Sequence, residues 1–371
     1  MTPLPRFLTV AAVAAGLLSD FVLAKPLATA AGLVYEDANG NGVRDPGEPG
    51  IAGVPVTEGV GFAETDSDGR FQLPLRPDPV KRHGEPHVVS IATPRSYVPA
   101  GPWFRVPGAG GKSELRFALR KRETPLPFTW IHGTDPHVPR AGRPWFEAFR
   151  RDVAARGADV QFCVLTGDLV DLSDAHPPRQ ARAEFDILRE QTADFPVPLR
   201  VIPGNHDLAG VRGLKNGWTP ETDGYGYNFY TRTAGPLRWS FNVADVHFVG
   251  LDFNTWTGKN WEWGAPPSAV AWLAKDLARA PKGSRVGLFV HHYSNSKSLE
   301  AFLKEHPVDW IFVGHGHKVR EESWLGIPVF ESGSITRQGK AKTPPPGYRV
   351  VEIREDGIRT EYVATRTGPP S

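Results

Sequence analysis

Residues 202–207 read "IPGNHD": an asparagine, a histidine and an aspartate in succession, behind an apolar run and a glycine that frees the backbone. A strand end in a purely structural domain needs no such cluster. One turn accounts for the Gly-Asn pair, so the fragment gains meaning only if its chemistry recurs. It recurs four times. "FTWIHGTDPH" supplies Asp135 and His137, and "VLTGDLVD" supplies Asp168, with Asp171 three residues on. "GLFVHHY" supplies His291 and His292, and "IFVGHGH" supplies His315 and His317. With Asn205, His206 and Asp207 of the first fragment, every case is an apolar run followed at once by oxygen or imidazole side chains.

Between these runs lie helix-like segments, the clearest being "RPWFEAFRRDVAARG", "RQARAEFDILREQ", "SAVAWLAKDLARA" and "SLEAFLKEH". The alternation predicts a layered α/β domain over 123–335, with helices covering buried strands. In open α/β sheets the residues just past strand ends line the binding crevice, so fragments distant in sequence can meet there. The donors are oxygen and imidazole without thiolate. That set suits iron, manganese or zinc and disfavours a structural zinc knot or a copper thiolate site. The number of donors is too large for one ion and suits two. Two cations about 3.5 Å apart need a shared carboxylate between them, and Asp168, alone at its strand end, is the natural bridge. A site so built stays positively charged, which attracts phosphoryl oxygens. Taken singly, each fragment is more simply a turn or a loop of solvated imidazoles; five in order after five apolar runs favour a dinuclear centre.

The order D-x-H, G-D-x-x-D, G-N-H-D, H-H and G-H-G-H, spread over roughly residues 124–335, resembles the calcineurin-like metallophosphoesterase superfamily. The resemblance implies a four-layer α/β/β/α sandwich and metal-dependent hydrolysis of phosphate esters. It implies one ion held by Asp135, His137, Asp168 and His317, and a second held by Asp168, Asn205, His291 and His315. It further implies in-line attack on phosphorus by metal-bound hydroxide. His206 would stabilise developing charge or protonate the leaving oxygen, with Asp207 orienting it. "HHY" stands where His-His-Pro is commoner, and the family favours the first histidine as ligand, which leaves His292 as a substrate-side residue. Asp171 is expected to make hydrogen bonds or start a helix rather than bind metal.

The stretches "NGWTPETDGYGYNFYTRTAGPLRWSF" and "DFNTWTGKNWEWG" are the expected specificity region. Their aromatics, including Trp218, Tyr225, Tyr227, Tyr230, Trp239, Trp256, Trp261 and Trp263, either stack on a nucleoside, sugar or aryl group or pack the loops onto the core. Arg212 and Lys215 are candidate phosphate contacts. The expected substrate is a small-molecule, lipid or nucleotide phosphate ester, with phosphomonoesters ahead of phosphodiesters.

Before residue 123 the texture differs. Short β-type runs alternate with Gly-, Pro- and Asp-rich turns, which predicts an Ig-like β-sandwich over 31–122. Within it "DANGNGVRDPGE" fits a twelve-residue calcium loop, with Asp37, Asn39, Asn41, the Val43 carbonyl, Asp45 and Glu48 as ligands and Gly42 at the sharp turn. Asn-Gly-Asn-Gly also makes good turns unaided. This front segment is similar to the B-type repeats of bacterial surface adhesins and to the amino-terminal domain of some secreted calcineurin-like phosphoesterases. That similarity and the aromatic loops support a competing reading, a non-catalytic metal- or glycan-binding surface protein; the intact ligand set disfavours it. The tail over 336–371 reads as a small β element, a hairpin turning at Asp356-Gly357 behind a stiff Pro344-Pro345-Pro346 connector.

Residues 1–30 have the form of a signal peptide: Arg6, an apolar run from Phe7 to Leu18, and small residues at Ala28-Thr29-Ala30, with Val22-Leu23-Ala24 as a second cut. The run is too short for a bilayer span, so export to the periplasm or medium is expected, with no transmembrane segment after cleavage. Cys163 is the single cysteine, so no intramolecular disulfide can form, and its apolar setting makes it a buried thiol. The net charge is +2, and one less without Arg6, Lys25 and Asp20. Such balance argues against a polyanion-binding surface, duplex nucleic acid included.

Overall fold

The computed structural model describes residues 28–76, 86–108, 114–138, 143–256, 260–294, 296–336 and 344–365. The expected leader lies outside them except for Ala28–Ala30, which open the first strand.

Alternation within the apolar runs explains the architecture. In β9 (Phe128–Gly133), Phe128 and Trp130 point one way and Ile131 the other, into two different cores. In β10 (Val160–Thr166), Phe162 and Val164 share the first direction while Cys163 and Leu165 share the second. A strand buried on both faces reads as a continuous apolar run. These two strands are parallel to each other and to β11 (Leu199–Ile202), while β20 (Gly347–Arg354) and β21 (Gly357–Ala364) extend the sheet on its other side in the order β11-β10-β9-β20-β21. The closing hairpin is thus part of the main sheet. Arg354 pairs with Gly357, so its turn is Glu355-Asp356, one residue earlier than expected.

The second sheet is built from β12 (Trp239–Val243), β13 (Val246–Gly250), β16 (Arg285–Phe289), β17 (Trp310–Val313), β18 (Arg320–Trp324) and β19 (Ile327–Glu331), in the order β12-β13-β16-β17-β19-β18. Phe241, Phe248, Phe289, Trp310 and Phe312 face the first sheet and form the central core with Trp130 and Phe162. Trp130 is fully buried, with rings of Phe162, Phe248, Phe289 and Phe312 at 4.8–5.8 Å; truncating such a residue costs about 3–5 kcal/mol.

Helices complete the outer layers. α1 (Arg143–Ala155) and α2 (Pro178–Thr192) place Phe146, Phe149, Val153, Ala181, Phe185 and Leu188 against Cys163 and Leu165. The short α3 (Asn228–Thr233) adds Phe229 and Tyr230 to the same core. α4 (Pro267–Leu277) and α5 (Lys297–Glu305) cover Leu288, Ile311 and Val313 with Trp272, Leu273, Leu299 and Leu303. Spacings of three, four and seven produce the apolar faces of α1 and α2. The α/β/β/α sandwich follows directly.

The front segment forms two four-stranded sheets. β4 (Arg70–Leu75), β1 (Ala28–Glu36), β8 (Leu115–Lys121) and β6 (Tyr97–Pro99) make one; β3 (Phe62–Glu64), β2 (Pro55–Thr57), β5 (Val89–Ile91) and β7 (Phe104–Arg105) make the other. They share a core of Val34, Val56, Phe71, Leu73, Val89, Ile91 and Phe117. This β-sandwich is bolted to the α/β unit. The Trp272 indole donates to Thr57 Oγ1 at 2.9 Å, Phe62 stacks on Trp272, and the Asn242 amide donates to the Thr93 carbonyl at 2.9 Å. The fully buried Arg238 donates to the Gly59 carbonyl at 2.6 Å while its Nε reaches the equally buried Asp252 at 2.6 Å. Buried charge is tolerated only with such complete pairing. Among the described residues, no helix is long and apolar enough to cross a membrane.

Candidate metal centre

All five fragments leave the carboxyl ends of their strands toward one point. Asp135 and His137 follow β9, Asp168 follows β10, Asn205 and His206 follow β11, His291 follows β16, and His315 and His317 follow β17. Ligand atoms of Asp135, His137 and His317 lie within 4.8 Å of one another, as do those of His137, Asp168 and His206, and of Asp168, His291 and His315. Asp168 belongs to two of these groups, which suits a bridging carboxylate. Asn205 Oδ1 stands 3.3 Å from His291 Nε2, which places the seventh expected ligand in the third group.

The turns that bring the donors together are conformationally costly. Among the described residues, eight non-glycine residues have positive φ, and five of them are Asp135, His137, Asp168, His315 and His317. Left-handed backbone at a residue with a Cβ costs about 1–3 kcal/mol. Two glycines permit the crowding. Gly167, at φ 91°, releases the chain into Asp168, and a Cβ on Gly204 would lie 2.2 Å from both the amide nitrogen and Oδ1 of Asp168. Backbone hydrogen bonds then lock the loops: the Asp135 amide donates to the Gly167 carbonyl, His137 to Asp168, His206 to Asp168 Oδ1, and His315 to Asp135 Oδ2, at 2.9–3.1 Å.

The donor set fits cations. Asp135 is fully buried and Asp168, His137 and His291 nearly so, and a buried charge is expensive without a partner. His317 Nε2 sits 3.0 Å from Asp135 Oδ1 and 3.3 Å from His137 Nε2, and His291 Nε2 sits 3.3 Å from Asp168 Oδ1. Ligands bound at about 2.0–2.2 Å to one ion lie roughly 3.0–3.5 Å from each other, so these separations are those of atoms around a common centre. His291 Nδ1 donates to the Thr166 carbonyl at 2.6 Å, which fixes the tautomer and turns the Nε2 lone pair inward. Among the described residues, the buried Nδ1 atoms of His137 and His315 have no hydrogen-bond partner.

In the protein alone, protons do this work. Burial opposes charge on His291, yet Asp168 outweighs it and the imidazole is pushed up to about 10. Burial also disfavours ionised Asp135 and Asp168, but the histidines around them hold both below the ordinary carboxylate range. His315 moves the other way, to about 4, through burial and the neighbouring His291 charge. A metal ion competes with these protons for the same lone pairs.

His206 is beside the cluster, its Nε2 3.8 Å from Asp168 Oδ2. The group that orients it corrects the expectation for Asp207. His206 Nδ1 is 2.9 Å from Asp174 Oδ1, and the other Asp174 oxygen accepts from Arg212 Nε. Asp207 instead accepts the backbone N–H groups of Gly204, Leu169 and Val170 at 2.7–3.2 Å. It braces the turns carrying Asp168 and Asn205 and does not touch the His206 ring. Asp171 is buried with its amide on the Val138 carbonyl, and no helix starts there, since α2 begins at Pro178.

The aromatic region is largely core. Trp218, Tyr225 and Tyr227 are 2%, 3% and 0% exposed and belong to the core under α2, so none presents a face to a ligand. Trp218 donates to the His176 carbonyl, and the Tyr227 hydroxyl accepts from Asn254 Nδ2. Tyr230 and Trp239 both donate to the Val201 carbonyl. Arg212 is exposed but engaged with Asp174, and Lys215 sits on an exposed turn. The ring that does reach the centre is Trp263, 4.8 Å from His315 and 5.8 Å from His292 between centroids. His292 joins none of the three donor groups; its ring lies between Trp263, Phe253 and Tyr293.

In the front domain, the Asp37 carboxylate accepts the amides of Gly40, Asn41 and Gly42 at 2.7–3.1 Å. Glu48 accepts those of Ala38 and Asp45, both at 2.9 Å. Asn39 and Asn41 donate to Asp45 Oδ2, and Val43 is exposed.

Comparison with known proteins agrees with this geometry. The sequence profile of the calcineurin-like phosphoesterases matches residues 130–319, just over half of the chain and all five ligand-bearing fragments. The bovine (Bos taurus) serine/threonine-protein phosphatase CPPED1 is 26% identical over 292 residues, 68% of this chain and 89% of that protein. The 3',5'-cyclic adenosine monophosphate phosphodiesterase CpdA of Escherichia coli K12 is 22% identical over 249 residues, 59% of this chain and 79% of its own. The chain belongs to the calcineurin-like phosphoesterase family, metal-dependent hydrolases of phosphoric esters.

Proposed function

We propose that this metallophosphoesterase hydrolyses phosphomonoesters at the centre around Asp168, with His206 as the acid that protonates the leaving oxygen. The observation that carries the reading is the convergence of seven donors from five strand ends, Asp168 among them, with a separately oriented histidine at their edge. Asp135, His137, Asp168 and His317 would hold one ion, and Asp168, Asn205, His291 and His315 the other. Iron, manganese and zinc all suit these ligands. When bound, such ions polarise phosphoryl oxygens and make water nucleophilic near neutral pH.

The chain's own residues do the rest. Asp174 holds Nδ1–H of His206, which leaves Nε2 to carry the transferable proton. In the protein without metal, burial opposes the imidazolium, but Asp168 and the Asp174 hydrogen bond push it up to about 9; an imidazolium held by Asp174 is a competent proton donor. Arg212 in turn holds the far oxygen of Asp174. Two ligand carboxylates leave a dinuclear centre net positive, and a dianionic monoester gains more from that field than a monoanionic diester. The second reading, a phosphodiesterase on nucleotides or phospholipid head groups, is favoured by the likeness to the cyclic nucleotide phosphodiesterase.

A panel of phenyl phosphate, bis-phenyl phosphate, AMP, cyclic AMP and glycerophosphocholine, tested on metal-loaded protein, decides between them. The account expects higher kcat/KM on the monoesters. The reverse ranking moves the assignment to the diester reading, and no turnover on any of them removes the activity. Export is proposed on residues 1–30 alone, and cell fractionation tests it. Calcium at Asp37, Asn39, Asn41, Val43, Asp45 and Glu48 is likewise a proposal, supported by the spacing; calcium titration of metal-depleted protein tests it.

A further inference from the structure

Trp263 is out of keeping with the rest of the molecule. Among the described side chains, every other phenylalanine, tyrosine and tryptophan ring is buried or half-buried, while Trp263 is 43% exposed. Leaving so large an apolar ring in water forgoes burial energy, and an indole held at the rim of the donor cluster offers its face to whatever binds there. Its position says what. The ring stands at 61° to His315, a ligand of the centre, and at 60° to His292.

The ring is also held in advance. Trp263 sits on β15 (Trp261–Trp263), paired with β14 (Asn254–Trp256) so that Asn254 faces Trp263. The amide of the next residue, Gly264, donates to the Phe253 carbonyl at 3.0 Å, and Thr255 Oγ1 donates to the Gly264 carbonyl at 2.7 Å. Trp261, two residues before, meets Tyr227 edge-to-face at 5.5 Å. Asp252, just ahead of β14, is the buried partner of Arg238, which the front domain caps through Gly59. A mobile residue would lose entropy on binding; these contacts already fix the backbone around Trp263.

We infer that Trp263 is a stacking platform that selects phosphate esters carrying a planar aromatic group, a nucleoside or an aryl alcohol, over alkyl esters. The inference rests on the phosphoesterase reading above and adds the substrate class. An indole face binds any base or aryl ring without hydrogen-bond readout, whereas the phosphoryl group is held by the centre alone.

The test compares wild type, Trp263→Ala and Trp263→Phe, all metal-loaded, on AMP, phenyl phosphate and glycerol 1-phosphate. Stacking of one ring predicts that Trp263→Ala lowers the ratio of aromatic to alkyl kcat/KM by roughly tenfold, through KM, and that Trp263→Phe recovers most of it. An unchanged ratio overturns the inference, whether the variant loses activity on all esters or on none. Calorimetry of AMP against inorganic phosphate gives a reading free of turnover. If the protein binds but hydrolyses none of these compounds, the phosphoesterase reading fails, and the platform is still judged by whether Trp263→Ala weakens AMP about tenfold relative to phosphate. Equal weakening of the two ligands, or none, removes it.

Discussion

Two regions of the chain cluster acidic and amide side chains, and they are built in opposite ways. Around Asp168, buried acceptors face one another: His317 against Asp135, His137 against His317, His291 against Asp168 and Asn205. In the loop from Asp37 to Glu48, Asp37 and Glu48 accept backbone N–H groups of their own turn, and Asp45 accepts the side-chain amides of Asn39 and Asn41. The first arrangement needs an added positive charge, whether protons or metal ions, because the alternative is uncompensated burial. The second closes on itself. Sequence spacing does not separate these cases; what separates them is where the donors come from, five different strands in one and a single turn in the other.

The comparison can be broken most directly at Asp168. Replacing it with alanine removes the carboxylate common to both ion sites, and turnover should fall by roughly 10³-fold or more; retention of a tenth of the activity would deny it a shared role. His206→Ala comes next. Its loss of an acid should lower kcat by about 10²- to 10³-fold while elemental analysis finds the metal content of wild type, and a loss of metal would make His206 a ligand instead. Asp174→Asn keeps size and removes the charge that fixes His206. It should cost about 10- to 100-fold in kcat with metal and KM near wild type, and Asp207→Asn should instead lower thermal stability and metal occupancy, because Asp207 braces the Asp168 turn. The smallest effect belongs to the loop. Asp37→Ala removes the acceptor of the Gly40 and Gly42 amides, while Asn41 keeps Asn39 Oδ1, and should cost about 1–3 kcal/mol of stability in the front domain, with kcat within about twofold of wild type, as followed by denaturant unfolding and the phenyl phosphate assay.

Much of this was legible in the residues. Each of the four helix-like segments is a helix and each of the five apolar runs before a ligand fragment is a strand, because runs buried on both faces and helices with one apolar stripe leave unmistakable periodicities. The five ligand fragments were readable because each sits at the end of such a run. The partner of His206 was not. Asp174 lies 32 residues away in sequence, and reaches the ring only because the Gly210 and Arg212 amides pair with the Ser173 and Asp174 carbonyls. Nothing in composition marks Asp174 above Asp207, which is adjacent. The aromatic loops hid the difference between inside and outside for the same reason: Tyr227 and Trp263 are alike as sequence, yet one is sealed in the core and the other stands at the rim. Pairing of the carboxy-terminal β20 with β9 spans more than two hundred residues, and hydropathy along the chain carries no register across such a distance.

The claim beneath all of this is that Asp168 joins two cations into one centre. Elemental analysis of protein purified with saturating iron, manganese or zinc, wild type beside Asp168→Ala and with folding checked by circular dichroism, tests it in one measurement. The account predicts about two transition-metal ions per wild-type chain and less than one in the folded variant. A wild type without bound metal, or a variant that keeps both ions, would contradict it.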